Sequence, residues 1–193
     1  TNVNFSSAKV AEMCRKVAAK IPMTLPSDDA KLVELGRDLN LEKRIAKLGQ
    51  DHVDLQELLL YGLKGTAAYV HHAARLGRTD KEVSRFFNRA LNALNDNKAQ
   101  PDELLGLCME CGKINFRAME ILNEGHIDRF GKPEPTKVRI TPVKGKAILV
   151  SGHDLDDLEQ LLKQTEGKGI NIYTHGEMLP AHGYPGLKKY KHL

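Results

Sequence analysis

The sequence predicts a mixed α+β protein. An N-terminal all-α helical bundle spans residues 1–130, a linker spans 131–145, and a β-α-β unit of the kind that begins a doubly wound sheet spans 146–193. Three observations carry this reading. Apolar residues recur near a 3.6-residue period through the first two-thirds of the chain. Pro133, Pro135 and Pro142 then break the pattern. Beyond them, the stretch from Lys146 to Pro185 alternates an apolar run, an amphipathic segment and a second apolar run.

In order along the chain, Ser6 and Ser7 cap a helix whose apolar positions are Val10, Cys14, Val17 and Ile21, ended by Pro22 and Pro26. Ser27 caps a second helix containing Leu32, Val33 and Leu35, and Asn40 to Leu48 forms a short third that Gly49 stops. Asp51 to Leu76 carries the longest pattern, with an expected stripe of Leu55, Leu58, Leu59, Leu63, Ala67 and Val70. Gly62 and Gly65 interrupt it. Each costs about 1 kcal/mol against alanine, which points to close helix–helix contacts there. Thr79 or Asp80 caps a helix with Val83, Phe86, Phe87, Ala90, Leu91 and Leu94 apolar. Pro101 opens a last one reaching about Asn123, with Gly125 at its end. Ala147 to Val150 is a continuous apolar run, the pattern of a parallel strand covered on both faces. Asp154 caps a helix that turns Leu155, Leu158, Leu161 and Leu162 toward the sheet. Gly167 and Gly169 stop it, and Ile170 to Tyr173 is the second strand. The crossover suits a helix between parallel neighbours. Met178–Leu193 reads as loop, which leaves the sheet unfinished. Two strands and one helix are too little to stand alone, so the chain is expected to be a piece of a longer protein or to be completed by other chains.

Composition narrows the function classes. The 193 residues carry 29 Lys and Arg against 25 Asp and Glu, a net charge of +4 spread along the chain. Nucleic-acid binding calls for clustered cations with stacking aromatics, and aromatics make up 5% with no Trp. No nucleic-acid partner is expected, and Lys188, Lys189 and Lys191 read as a solvated end. Three cysteines are too few for a disulfide framework in a chain of this length, which favours a reducing, cytoplasmic setting. No apolar run approaches a membrane span, and no secretory leader is expected. The first residue is Thr1 rather than Met, which hints at processing or truncation.

The candidate chemistry sits just past the two strands. His153 follows the first and Glu177 follows the second. Parallel neighbours place their carboxyl ends on one edge, where ligands bind, and adjacent strands lie about 4.8 Å apart. An imidazole and a carboxylate there can reach one metal ion, and both suit iron. His175 and His182 add nitrogen donors nearby, as further ligands, supporting partners or plain loop residues. Cys108 and Cys111 form a lone CxxC within a helical pattern. A structural zinc site wants a second pair, so these cysteines read as core, as does Cys14. His71 and His72 read as surface residues near a helix C-terminus. Glu110 and Glu120 lack the Glu-x-x-His partners of a diiron bundle. The turn Ser151-Gly152-His153-Asp154 has neither a G-x-G-x-x-G nor a P-loop pattern.

Several strings resemble one family. ILVSGHDLDDL, QTEGKGINIYTHGEMLPAHGYP and LKKYKHL are very similar to the hybrid cluster proteins, also called prismane proteins or hydroxylamine reductases. LLLYGLKGTAAYVHHA, the opening TNVNF and the segment around CMECGKINFRAMEIL resemble the same family, so the likeness covers essentially the whole chain. The resemblance implies an N-terminal helical domain followed by Rossmann-like domains, with residues 146–193 a truncated Rossmann-like βαβ segment. It implies a cubane iron–sulfur (4Fe-4S) cluster held by four N-terminal cysteines, and a hybrid iron–sulfur–oxygen cluster held by His, two Glu and several Cys. It implies reduction of hydroxylamine to ammonia and water, with nitric oxide reduction and nitrosative stress as further family themes, and a redox partner protein. In this pattern the His of SGHD and the Glu of HGEML are cluster ligands, here His153 and Glu177. His175 and His182 would be proton donors or supporting partners.

The departures are equally informative. The four-cysteine motif, the later cluster cysteines, the second Glu and a Lys are absent, and Cys108 and Cys111 do not match the cluster cysteines by position. The chain therefore looks like a middle section holding two of the ligands, and it is expected to bind no cluster and to be inactive alone. Two alternatives stand beside this reading. One is a self-standing helical interaction module with a vestigial βαβ tail; the other is a relative of nickel–iron carbon monoxide dehydrogenase. An open sheet edge suggests self-association.

Overall fold

The structure, a computed structural model, describes residues 6–37, 39–96 and 98–193; the TNVNF string lies outside them. By contact the chain forms two compact units: residues 1–68 with 81–115, and residues 69–80 with 116–193. The boundary between them runs through two long helices.

The first unit begins with α1 (Ser7–Ala18), whose Ser6 Oγ accepts from the Lys9 N–H at 3.4 Å. Here the expected stripe is wrong. α1 buries Ala11 and Ala18 and leaves Val10, Cys14 and Val17 exposed, while Ile21 lies past the helix end. A period of 3.6 fits both faces of so short a helix, and the small-residue face turned inward. The following turn is stapled by Arg15, which donates to Pro26 O at 2.9 Å and Ser27 O at 2.9 Å and pairs with Asp29 at 2.6 Å. The cap of α2 (Asp29–Arg37) is Asp28, not Ser27: Asp28 Oδ1 accepts from the Ala30 N–H at 2.7 Å. Val33 and Leu35 of α2 are exposed. α3 (Leu41–Leu48) is capped by Asn40, one residue outside the helix rather than its first residue, and is stopped by Gly49 as its sequence predicts.

α4 (Gln50–Arg75), α5 (Lys81–Asn95) and α6 (Pro101–Phe130) supply the larger apolar faces. α4 buries Val53, Leu59 and Leu63 together with Gln56 and Thr66, whereas Leu58 is exposed. The two polar positions are satisfied inside: Gln56 accepts from Arg44 at 2.9 Å, and Thr66 donates to Asn115 at 3.2 Å. Hydrogen-bonded polar groups are tolerated in a core, which is why an apolar-only stripe misplaces the face. Gly62 is a true close approach, since a Cβ there would lie 3.0 Å from Cys111 Sγ; Gly65 has nothing within 4 Å and is not one. In α5, Val83, Phe86, Ala90 and Ala93 are buried and Leu91 is exposed.

In the second unit, α6 continues through Gly125 to Phe130, past the expected end. A Cβ at Gly125 would lie 3.1 Å from Leu76 Cβ, so this glycine serves packing against the end of α4. Two parallel strands follow, β1 (Lys146–Ser151) and β2 (Ile170–His175), joined by α7 (Leu155–Thr165). Their register pairs Lys146 with Ile170 and Ser151 with His175. Leu155, Leu158 and Leu162 of α7 pack with Ile172 of β2, Met178, Ala181, Tyr184, Leu187, Tyr190 and Phe130 of α6. Phe130 therefore ties the βαβ unit to the bundle's last helix and supplies core that two strands and a helix lack.

Two expectations fail here. β1 is not covered on both faces: Leu149 is 69% exposed, and Ile148, on the opposite face, is 37% exposed. The tail is not loop alone. Gly176–Gly183 is a 3₁₀ stretch and Pro185–Lys188 is a short helix, α8. The Ile172 N–H donates to His192 O at 2.7 Å, so the tail also hydrogen-bonds along β2.

Candidate functional site

The two strands end alike. Gly152 (φ +135°) follows β1 and Gly176 (φ +58°) follows β2. Side chains rarely adopt these angles, and glycine does so without a Cβ penalty. Each turn then presents its donor at the next residue, His153 or Glu177. The register offset that pairs Ser151 with His175 also separates His153 from Glu177. Parallel pairing thus delivers the two side chains to one place, with His153 Nδ1 3.6 Å from Glu177 Oε2. That separation exceeds a hydrogen bond. Two donors on one metal ion at bond lengths of about 2.1 Å stand about 3.0–3.4 Å apart, so the pair is close to a chelating span. Both side chains are open to solvent, at 54% and 80% exposure.

Behind this edge lies a braced network. Asp154 caps α7 through Oδ1, which accepts from the Asp156 N–H at 2.9 Å and the Asp157 N–H at 3.4 Å. Its Oδ2 lies 3.0 Å from His72 Nδ1 and 3.4 Å from Arg75 Nη1. Arg75 also reaches Asp156 at 2.5 Å and Asp157 at 3.3 Å. Asp154 foremost, then its neighbours, raise the guanidinium pKa. Arg129 of α6 pairs with Asp156 at 2.6 Å and Glu159 at 2.7 Å. Burial pushes the Glu159 carboxyl up, but Arg129 and Lys163 outweigh it and hold it below the usual range. Acidic groups in a first turn also favour the helix dipole. His72 is not the surface residue its position suggests. Its ring stands edge-on to His153, centroids 5.4 Å apart and planes at 82°. Helix periodicity gave no signal for this, because His72 meets residues some 80 positions later.

His175 and His182 have hydroxyl partners. His175 Nδ1 lies 3.3 Å from Ser151 Oγ, and His182 Nε2 lies 2.8 Å from Thr174 Oγ1. Burial lowers the His182 pKa. His182 lines a cavity of about 680 Å³ with Tyr173, Arg139 and Lys191. His126, on α6, is also lowered, by burial first, with Asp154 opposing and His72 adding to it.

Cys111 is buried and Cys108 partly so, and burial pushes both thiols up. Cys14 is exposed, not core. Glu110 pairs with Arg89, and Glu120 with Arg117 at 3.2 Å. Among the described residues, no group of three or more His, Cys, Asp or Glu could hold a metal ion, and no helix is long and apolar enough to cross a membrane. The edge therefore offers a two-donor site of imidazole and carboxylate, a donor set that suits iron and fits part of a larger ligand shell.

A parallel βαβ unit tied to a helical bundle, with His and Glu at the strand ends, is the setting in which the comparisons with known proteins fall. The family model described as Prismane/CO dehydrogenase family matches residues 1–193. The chain belongs to that family. It is 45% identical over 214 residues to a hydroxylamine reductase of Methanocella arvoryzae, covering 100% of this chain and 39% of that protein. It is 46% identical over 193 residues to one of Zymomonas mobilis (99% and 35%). It is 61% identical over 138 residues to one of Geobacter sulfurreducens (71% and 25%). The chain thus spans about a quarter to two-fifths of the length of these relatives.

Proposed function

We propose that this chain is a section of a longer iron–sulfur oxidoreductase that reduces hydroxylamine to ammonia and water, with nitric oxide as a related substrate. His153 and Glu177 are two ligands of its hybrid iron–sulfur–oxygen cluster. The observation that carries this reading is the convergence of the two side chains, 3.6 Å apart, at the carboxyl edge of a parallel pair. The family and the names of the relatives support it, and those names favour hydroxylamine reduction over carbon monoxide chemistry. The bundle is then a part of the enzyme and not a separate interaction module.

When bound, such a cluster supplies the electrons for breaking the N–O bond, and a protein redox partner replenishes them. This chain's residues orient and hold. The imidazole and carboxylate donate lone pairs from two rigid strand ends. Asp154, braced by Arg75, fixes the turn that bears the imidazole. His175 and His182, each beside a hydroxyl, are the candidates to pass protons toward the edge. The cubane cluster belongs to sequence outside this chain. The reading sets the protein in the reducing cytoplasm, where three unpaired cysteines stay thiols.

With only two donors, the 193-residue chain alone does not assemble the cluster and is inactive. Iron analysis and electron paramagnetic resonance after anaerobic reconstitution test this, and a stoichiometric multi-iron signal from the chain alone contradicts it. In the full-length protein, His153→Ala or Glu177→Ala lowers iron content and hydroxylamine turnover together. Wild-type iron and rate in both variants overturn the assignment.

A further inference from the structure

The geometry points to His72 as a positioning residue that sets the orientation of the His153 ring. More than half of the His153 side chain is exposed. Packing holds an imidazole so exposed only weakly in any one of the staggered χ1 wells. His72 supplies the selection. Its ring meets His153 edge to face, at 5.4 Å and 82°, the arrangement aromatic pairs prefer.

His72 is itself confined. It sits in the last turn of α4, its side chain only 21% exposed, with Nδ1 in contact with Asp154 Oδ2 at 3.0 Å but not hydrogen-bonded to it. Asp154 is fixed in turn as the cap of α7 and by Arg75, one turn beyond His72 on α4. The end of α4 therefore touches residue 154 through a carboxylate and residue 153 through a ring. The remaining face of His153 is left toward Glu177, with Nδ1 3.6 Å from its carboxylate. The orienting contact is a property of this chain. That it serves a cluster ligand rests on the function proposed above.

The test is histidine-labelled nuclear magnetic resonance of the 193-residue chain, reading the His153 χ1 population from three-bond couplings. The wild type shows one dominant rotamer, with cross-peaks between the rings of His72 and His153. His72→Ala lets His153 average over the three wells, while His72→Phe keeps the edge-to-face ring and restores the single rotamer. Unchanged α7 amide signals establish that each variant is folded. A single His153 rotamer in His72→Ala overturns the inference, as does averaging already in the wild type. Averaging in His72→Phe as well overturns the ring contact as the cause. None of these results depends on iron. Failure of the ligand assignment is read separately, from iron content of His153→Ala in the full-length protein.

Discussion

Gly186 is the position where one added methyl group should do the most damage. It lies in α8, and a Cβ there would stand 2.8 Å from Phe130 Cα, 3.0 Å from its carbonyl oxygen and 3.2 Å from its carbonyl carbon. Carbon atoms rest at about 3.5–4.0 Å, so Gly186→Ala overlaps by about 0.7 Å or more. The atoms it meets are backbone at the end of α6, and no side-chain rotation relieves the clash. Overpacking of this kind costs about 1–3 kcal/mol, here toward the upper end. Alanine recovers about 0.4–1 kcal/mol by restricting the unfolded chain. The net is about 2 kcal/mol, which for a chain of this size lowers the melting temperature by about 4–8 °C. Thermal unfolding followed by far-ultraviolet circular dichroism reads it. Gly112→Ala is the control: it lies within α6 with nothing within 4 Å, and it should stabilise by about 1 kcal/mol. If Gly186→Ala melts at or above the wild type while Gly112→Ala rises, the packing of α8 on Phe130 described above is wrong.

Three further outcomes follow from the packing and the half-buried imidazoles. Leu162→Ala removes a fully buried side chain from the cluster around Phe130 and should cost about 2–5 kcal/mol in chemical denaturation; a loss under 1 kcal/mol contradicts that core. Gly62→Ala drives a Cβ to 3.0 Å from Cys111 Sγ and should destabilise, whereas adding Cys111→Ala should restore about 1 kcal/mol or more in a double-mutant cycle. Simple additivity of the two changes refutes the contact. His126, half-buried in the folded chain, has a pKa below the ordinary imidazole value of about 6.5. The unfolded chain then binds the proton first, so stability is full above about pH 6.5 and falls as the pH drops through that value toward the lower folded one. His126→Phe should flatten the slope and leave the part due to His182, which burial also lowers; an unchanged slope refutes it.

What could be read from sequence divides along physical lines. Local signals served well. Gly49 and Asp154 terminate helices by releasing or satisfying nearby backbone groups, and they do so where predicted. The parallel βαβ unit followed from two apolar runs and a spacer. With its register, His153 and Glu177 were bound to meet. Signals that depend on distant partners were not legible. Gly125 looked like a stop because glycine ends helices, yet Leu76 needs its missing Cβ. The α1 stripe of Val10, Cys14 and Val17 looked like core because periodicity does not say which face finds a neighbour. Ser27 lost the α2 cap to Asp28, a choice between adjacent good cappers. His72 was invisible as part of the site because nothing near it in the chain marks its contact with residues 153 and 154.

Nitrogen coupling to iron probes the strand-end assignment at its root. In the full-length protein labelled with ¹⁵N-histidine and loaded anaerobically with iron, electron–nuclear double resonance should show one strongly coupled imidazole nitrogen. That coupling should vanish in His153→Ala and persist in His175→Ala and His182→Ala. Its survival in His153→Ala would show that the imidazole on the iron is not the one at the end of the first strand.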